Sequence, residues 1–193
     1  DDAVIAADFR IDPAGHMRFA VFSRPEAGER RVGRVVQRLC EIETYKAMAM
    51  LGFSRCRTLG GTMGALDVRL SSLTEALSGA PDATEATLGS LLQVSGELEA
   101  LTAKSTFRFG ATTAYEKIVN QRITVLREER FEGRQTFGEF MMRRFDPAMR
   151  TVASTKERLD AMADRAIRAS DLLRTRVDVE RSGENKALLE SMD

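Results

Sequence analysis

Residues 146–193 read DPAMRTVASTKERLDAMADRAIRASDLLRTRVDVERSGENKALLESMD, and this stretch decides the fold. Asp146 and Pro147 have the chemistry of a helix start, a capping residue followed by proline at the first helical position. No proline follows, and Gly183 is the one glycine. Met149, Val152, Leu159, Ala163, Ala166, Leu173 and Val177 recur close to heptad spacing. The pattern predicts an uninterrupted helix of roughly 70 Å at 1.5 Å per residue. Asp164 and Arg168, Arg174 and Asp178, and Arg176 and Glu180 stand one turn apart and read as a solvated, self-paired face. Leu188 to Asp193 is still helix-forming, so this helix is expected to act as a stalk leading into further sequence.

Upstream, the same spacing appears twice more. Leu59, Met63, Leu66, Leu70, Leu73 and Leu77 alternate four and three apart, and Leu91, Val94, Leu98 and Leu101 continue the alternation. Between them, Gly79-Ala80-Pro81 stops one helix and Asp82 with Glu85 caps the next. Two such segments around a short loop predict an antiparallel helical hairpin. Phe107, Phe109 and Gly110 interrupt the pattern, and Thr113 with Glu116 is expected to start another helix carrying Ile118, Val119, Ile123, Val125 and Leu126. Gly133 weakens that helix before Phe137, Phe140, Met141 and Phe145 resume an apolar stripe, which reads as core packing.

Toward the N-terminus, Pro25 and Glu26 are expected to open a first helix. Val32, Val35, Val36, Leu39, Ile42 and Met48 to Leu51 form its apolar face, and Gly52 marks an end or kink. Before it, Val4 to Ile11 and Met17 to Phe22 read as strands around the turn Asp12-Pro13-Ala14-Gly15. A lone hairpin is marginal in water, so these strands are expected to be the edge of a larger upstream α/β region. The sequence therefore predicts a mainly α protein, an elongated antiparallel helical bundle with coiled-coil hairpins. The expected division is a β-hairpin over 1–24 and a long-helix bundle over 25–193, ending in the stalk helix 146–193.

Composition narrows the function classes. Hydrophobic residues make up 43% and charged residues 30%, the balance of a folded chain. Lys plus Arg and Asp plus Glu are both 29, so the basic excess expected of a nucleic-acid binder is missing. Cys40 and Cys56 suggest no disulfide framework and fit a reducing compartment. The longest strictly apolar run, Ala47 to Leu51, is far too short to span a bilayer.

His16 is the single histidine and falls in the predicted hairpin turn. A helical Glu-x-x-His pair, a His-based zinc motif and a Ser-His-Asp arrangement are all excluded on that ground. Gly60-Gly61-Thr62-Met63-Gly64 follows no strand and lacks the Gly-Lys-Ser/Thr ending of a phosphate loop. Its glycines read better as positions of close helix approach. The polar residues worth singling out are Gln37, Arg38, Glu41, Glu43 and Tyr45 on the first helix. Gln37, Glu41 and Tyr45 follow at one-turn intervals, and Glu43 lies near the Val36-Leu39 face, where a carboxylate needs a partner. They read either as a polar seam between helices or as a carboxylate site. No catalytic, cofactor-binding or metal-binding residue is assigned.

Several stretches carry a family resemblance: Ala7-Asp8-Phe9-Arg10, Gly33 to Leu39 with Glu41 to Tyr45, Leu172 to Asp178, and Asn185 to Asp193. They resemble a bacterial family of uncharacterised, predicted membrane-anchored proteins, the domain of unknown function 3422. The resemblance implies a further N-terminal region and membrane helices shortly after Asp193. The expected protein is then an inner-membrane one with this portion cytoplasmic, anchored through segments outside this sequence. A non-enzymatic interaction or scaffold module is the expected function, with a homo-oligomer compatible and no nucleic-acid partner. The layout is also similar to that of CorA-type magnesium channels, so the alternative is the cytoplasmic domain of a CorA-like ion channel or transporter.

Overall fold

A computed structural model describes residues 3–79 and 85–192. In order, the elements are β1 (Ala3–Ile11), β2 (Met17–Ser23), a 3-10 turn (Pro25–Ala27), α1 (Glu29–Gly79), α2 (Glu85–Leu126) and α3 (Phe137–Met192). The chain is thus mainly α, with three long helices and a two-stranded antiparallel sheet. Residue contacts divide it into two units. One comprises Asp1–Gly52 with Ala111–Arg150, and the other Phe53–Gly110 with Thr151–Asp193. Each helix contributes one segment to each unit.

In the first unit the hairpin forms as its alternation predicts, with Ala3 opposite Ser23 and Ala7 opposite Phe19. The register shifts between Ala7 and Ile11, and Phe9 sits in that bulge at φ 53°. A bulky residue rarely adopts a left-handed backbone. Here its ring is held among three others, stacked at 4.2 Å on Phe140, 5.4 Å from Phe137 and edge-on to Phe19 at 6.2 Å. The guanidinium of Arg144 covers Phe140 from 5.0 Å. This cluster attaches the hairpin to the start of α3. Leu39, Ile42, Ala49, Val119, Met141 and Phe145 supply the unit's buried stripe.

In the second unit the predicted leucine faces are both interior. Leu59, Met63, Leu66 and Leu70 on α1 and Leu91, Val94 and Leu98 on α2 are buried, with Leu70, Leu91 and Val94 at 0% exposure. Arg69 on α1 pairs with Glu97 on α2 at 3.2 Å. The expected Ala80-Pro81 turn and Asp82 cap lie outside the described residues. Val152, Leu159, Met162, Ala166, Ala169, Leu173 and Val177 of α3 complete the core. Arg158 and Arg165 both reach Asp67 of α1, at 2.7 and 2.9 Å. Arg176 donates to the Leu77 carbonyl, and Arg181 pairs with Glu85. The Asp67 and Leu77 contacts run α1 and α3 parallel, with α2 returning between them in sequence.

Helix ends are where the structure departs from the sequence reading. Pro25 opens a 3-10 turn, and α1 begins at Glu29. It then continues through Gly52, which is buried as a point of close approach. Likewise α2 is unbroken from Glu85 to Leu126, because Ser105, Phe109 and Thr112 keep the inward spacing and are buried. Phe107, at 80% exposure, is the residue that points away. Gly133 belongs to the loop after α2, at φ 73°, and no helix crosses it.

The largest correction concerns α3, which starts at Phe137 and carries Pro147 inside it. Proline at this position removes the N–H that would bond the Arg143 carbonyl, a loss of about 3 kcal/mol in a helix interior. Met141 and Phe145 before it and Ala148, Met149 and Val152 after it are all buried on one stripe. Their burial outweighs the loss. Thr136 is the actual cap, its Oγ1 accepting from Glu139 N while Glu139 Oε2 accepts from Thr136 N, both at 3.2 Å. On the outer face, the Arg176–Glu180 pair forms at 3.5 Å. The expected Asp164–Arg168 and Arg174–Asp178 pairs do not appear among the ion pairs of the described residues.

Candidate functional site

The polar residues singled out on α1 lie in the first unit and face two ways. Glu41 accepts from Gln37 Nε2 at 2.9 Å, one turn back. Its other oxygen is 2.5 Å from Arg122 Nε on α2, an ion pair whose N–H does not point along the contact. Arg38 donates to the Val125 carbonyl at 3.3 Å, and Tyr45 stacks on Tyr115 with centroids 5.7 Å apart. Gln37, Arg38, Glu41 and Tyr45 therefore build one seam between α1 and α2. Their partners recede along α2 as the residues advance along α1, the signature of antiparallel packing.

Glu43 is not part of that seam. One of its oxygens pairs with Lys46 on the same helix, three residues on, and Lys46 also lies 3.8 Å from Met141 Sδ on α3. The other oxygen, Oε1, is shielded from solvent with no hydrogen-bond partner. The expected partner for this carboxylate exists, but on its own helix. Glu41 and Glu43 point to different neighbours and make no carboxylate pair.

Sequence reading missed two further carboxyls of this unit. Burial, with the nearby Asp146 carboxylate as second cause, holds the Glu116 carboxyl above its ordinary range, and Lys117 opposes the shift. Glu128 lies in the loop before α3 and accepts from Gly138 N at 2.8 Å, satisfying an open amide of the first turn. Burial pushes its carboxyl up, while bonds from the Gly138 and Phe137 amides pull it part of the way back. Gly138 fits this spot because a Cβ would meet Ile123 Cγ2 at 2.7 Å and Glu128 Oε2 at 2.8 Å. A Glu placed just before a helix start was the signal available in sequence.

The second unit carries a groove of about 350 Å³ between α1 and α3. Leu77, Ala169, Leu172 and Leu173 line it together with Arg165, Arg168 and Arg176. Leu172 stands at the lip with 72% of its surface exposed. Among the described residues no group of three or more His, Cys, Asp or Glu side chains is placed to hold a metal ion. No helix among them is long and apolar enough to cross a membrane.

No curated protein and no solved structure matches this chain. A family model does match, over residues 1–193, and it is described as a protein of unknown function. With the whole length covered, the chain belongs to the DUF3422 family.

Proposed function

We propose that this chain is a non-enzymatic helical interaction module of a membrane-anchored protein, held at the inner membrane with this portion on the cytoplasmic side. The observation that carries the interaction reading is the use made of the polar residues on α1. Arg38, Glu41 and Tyr45 are each committed to a contact with α2, and Glu43 to Lys46. They hold helices together, whereas the groove of the second unit presents apolar and cationic groups outward. The membrane part of the reading rests on the similarity of Asn185 to Asp193 to a family with predicted spans beyond that point.

One experiment addresses both parts. The complete gene is expressed with a photo-crosslinking residue placed singly at exposed positions such as Val68, Phe107, Leu172 and Val179, and the cells are fractionated. The expected result is recovery in the membrane fraction, with a discrete cross-linked adduct from at least one position. Recovery in the soluble fraction, with no apolar segment of about 20 residues encoded, would overturn the anchor. Absence of an adduct from every position would overturn the module.

A further inference from the structure

On α3, exposed charges pair within one turn, as in Lys156 with Asp160, Arg176 with Glu180 and Lys186 with Glu190. Arg57 and Glu75 on α1, both exposed in the second unit, do not. No acidic residue stands three or four positions from Arg57, and no basic one from Glu75. Neither takes part in an ion pair among the described residues. They lie eighteen residues apart, five turns at 3.6 residues per turn. Both therefore fall on one line along the helix, about 27 Å from each other at 1.5 Å per residue.

Between them that line carries no charge. Asp67 and Arg69, the charged residues of the interval, are turned to α3 and α2, where they meet Arg158, Arg165 and Glu97. Val68 stands outward at 68% exposure, with Ala65 exposed beside it. A Cβ on Gly61 or Gly64 would meet no atom within 4 Å. The sequence reads these glycines as positions of close helix approach, yet no described helix of this chain comes within reach of them. Gly52 of the same helix is the contrast, buried with Thr112 against it. Glycine weakens a helix interior, and its use on this face is accounted for by a helix that arrives from outside.

Charge says which helix. A basic residue at one end, an acidic one at the other and a neutral stretch between make the face complementary to itself read backwards. Leu66 is the midpoint of Arg57 and Glu75, and equally of Gly64 and Val68. A two-fold axis beside Leu66 sets Arg57 of each copy against Glu75 of the other, and each Val68 over the open Gly64 of the other. Parallel pairing in register would instead oppose like charges. An anionic bilayer would attract Arg57 and repel Glu75.

We infer that the outer face of α1 from Arg57 to Glu75 binds the same face of a second copy of this chain, with the two helices antiparallel. The inference rests on the reading of the chain as an interaction module and names the surface and the partner for it. The paired charges fix the register, and Val68 fills the space that Gly64 leaves. Contact along about five turns of one helix is small for an interface, so the dimer is weak.

The test is sedimentation of the chain from low micromolar to near-millimolar concentration. The wild type should dimerise, less so in high salt. Arg57→Glu and Glu75→Arg should each weaken self-association at least about tenfold. Mixed in equal amounts, these two variants should associate with each other, because mixing restores both charge pairs. The double variant Arg57→Glu/Glu75→Arg should recover self-association for the same reason, and Val68→Glu should abolish it. All three positions are exposed, and circular dichroism confirms that each variant remains folded. A wild type that stays monomeric throughout, or single variants that associate no better when mixed, would overturn the proposal. So would a dimer that Val68→Glu leaves intact, or a monomer that binds phosphatidylserine vesicles through Val68. In cells, the adduct at Val68 should have the mass of two chains, and an adduct there to a different protein would overturn the second copy as occupant. An adduct at Phe107, Leu172 or Val179 with none at Val68 would overturn this face while leaving the module standing.

Discussion

Gly52 of α1 lies so close to Thr112 of α2 that a Cβ on the glycine would overlap the threonine Oγ1 and sit 2.9 Å from its Cβ. Both residues are buried, and Thr112 Oγ1 reaches toward the Ala49 carbonyl at 3.5 Å. Gly52→Ala should therefore force the two helices apart in the first unit, at a cost of about 1–3 kcal/mol. Urea denaturation measures it. Thr112→Ala in the same background should recover part of the loss, and a lone Gly52→Ala as stable as wild type would show that the helices can separate freely.

Leu70 is fully buried in the second unit, as are Leu91 and Val94 of α2. Truncating it removes packing and leaves a cavity, so Leu70→Ala should destabilise by about 2–5 kcal/mol. The exposed Val68, at 68% exposure, serves as the control. Val68→Ala is expected to change the unfolding midpoint little.

How much of this was legible can be judged from particular residues. The leucine stripes and the hairpin follow from periodicity alone, because their inward positions are large and apolar. Helix continuity did not, because Gly52, Ser105 and Thr112 occupy interior positions where a pattern of large apolar residues predicts a break. The start of α3 was misplaced for a related reason. Asp146-Pro147 has the chemistry of a cap, whereas the true capping box, Thr136 with Glu139, is an equally local signal ten residues earlier but weaker to the eye. In the candidate site, Gln37 and Glu41 were joined correctly within α1. Arg122 and Val125, the partners of Glu41 and Arg38, are far along the chain, and a single sequence holds no signal for such pairs.

The capping box makes its own prediction. Thr136→Ala leaves the Glu139 amide without its acceptor and should cost about 1 kcal/mol. Thr136→Ser keeps the hydroxyl and should restore most of it. Hydrogen exchange at Glu139 N reports the change directly, and unchanged protection in Thr136→Ala would rule out the cap.

Glu128 should respond to pH in the direction opposite to an ordinary paired carboxylate. Its carboxyl is raised on folding, so its contribution favours the folded state below the unfolded pKa and is lost as pH rises through the folded value. At neutral pH its buried charge is a liability. Glu128→Gln keeps an acceptor for Gly138 N without that charge and should be at least as stable as wild type. Glu128→Ala, with no acceptor, should lose about 1 kcal/mol. The advantage of the glutamine should fade as pH approaches about 4, and a glutamine variant as unstable as the alanine one would contradict the assignment.

Asp67 runs the other way. A hydrogen bond from Arg158, with Arg165 adding to it, holds its carboxyl below the ordinary range despite some burial. Such a group adds stability above its unfolded pKa and loses it as pH falls through the folded value. Asp67→Asn should cost at most about 1 kcal/mol at neutral pH, since both arginines are partly solvated. The difference from wild type should shrink in high salt and disappear in acid. A difference that persists in acid would point to lost packing in place of lost charge.

Because each helix is divided between the two units, the order in which the chain leaves the ribosome is not the order in which the units can close. Everything the first unit needs has been synthesised by Arg150, whereas the second still lacks the α3 segment that begins at Thr151. Until that segment emerges, the leucine stripes of α1 and α2 have each other but not their third partner, and part of their surface faces solvent or a chaperone. Interruption of synthesis between these points leaves a nascent chain with one unit complete and the other sticky. The vulnerable interval in synthesis therefore falls between Arg150 and the completion of α3.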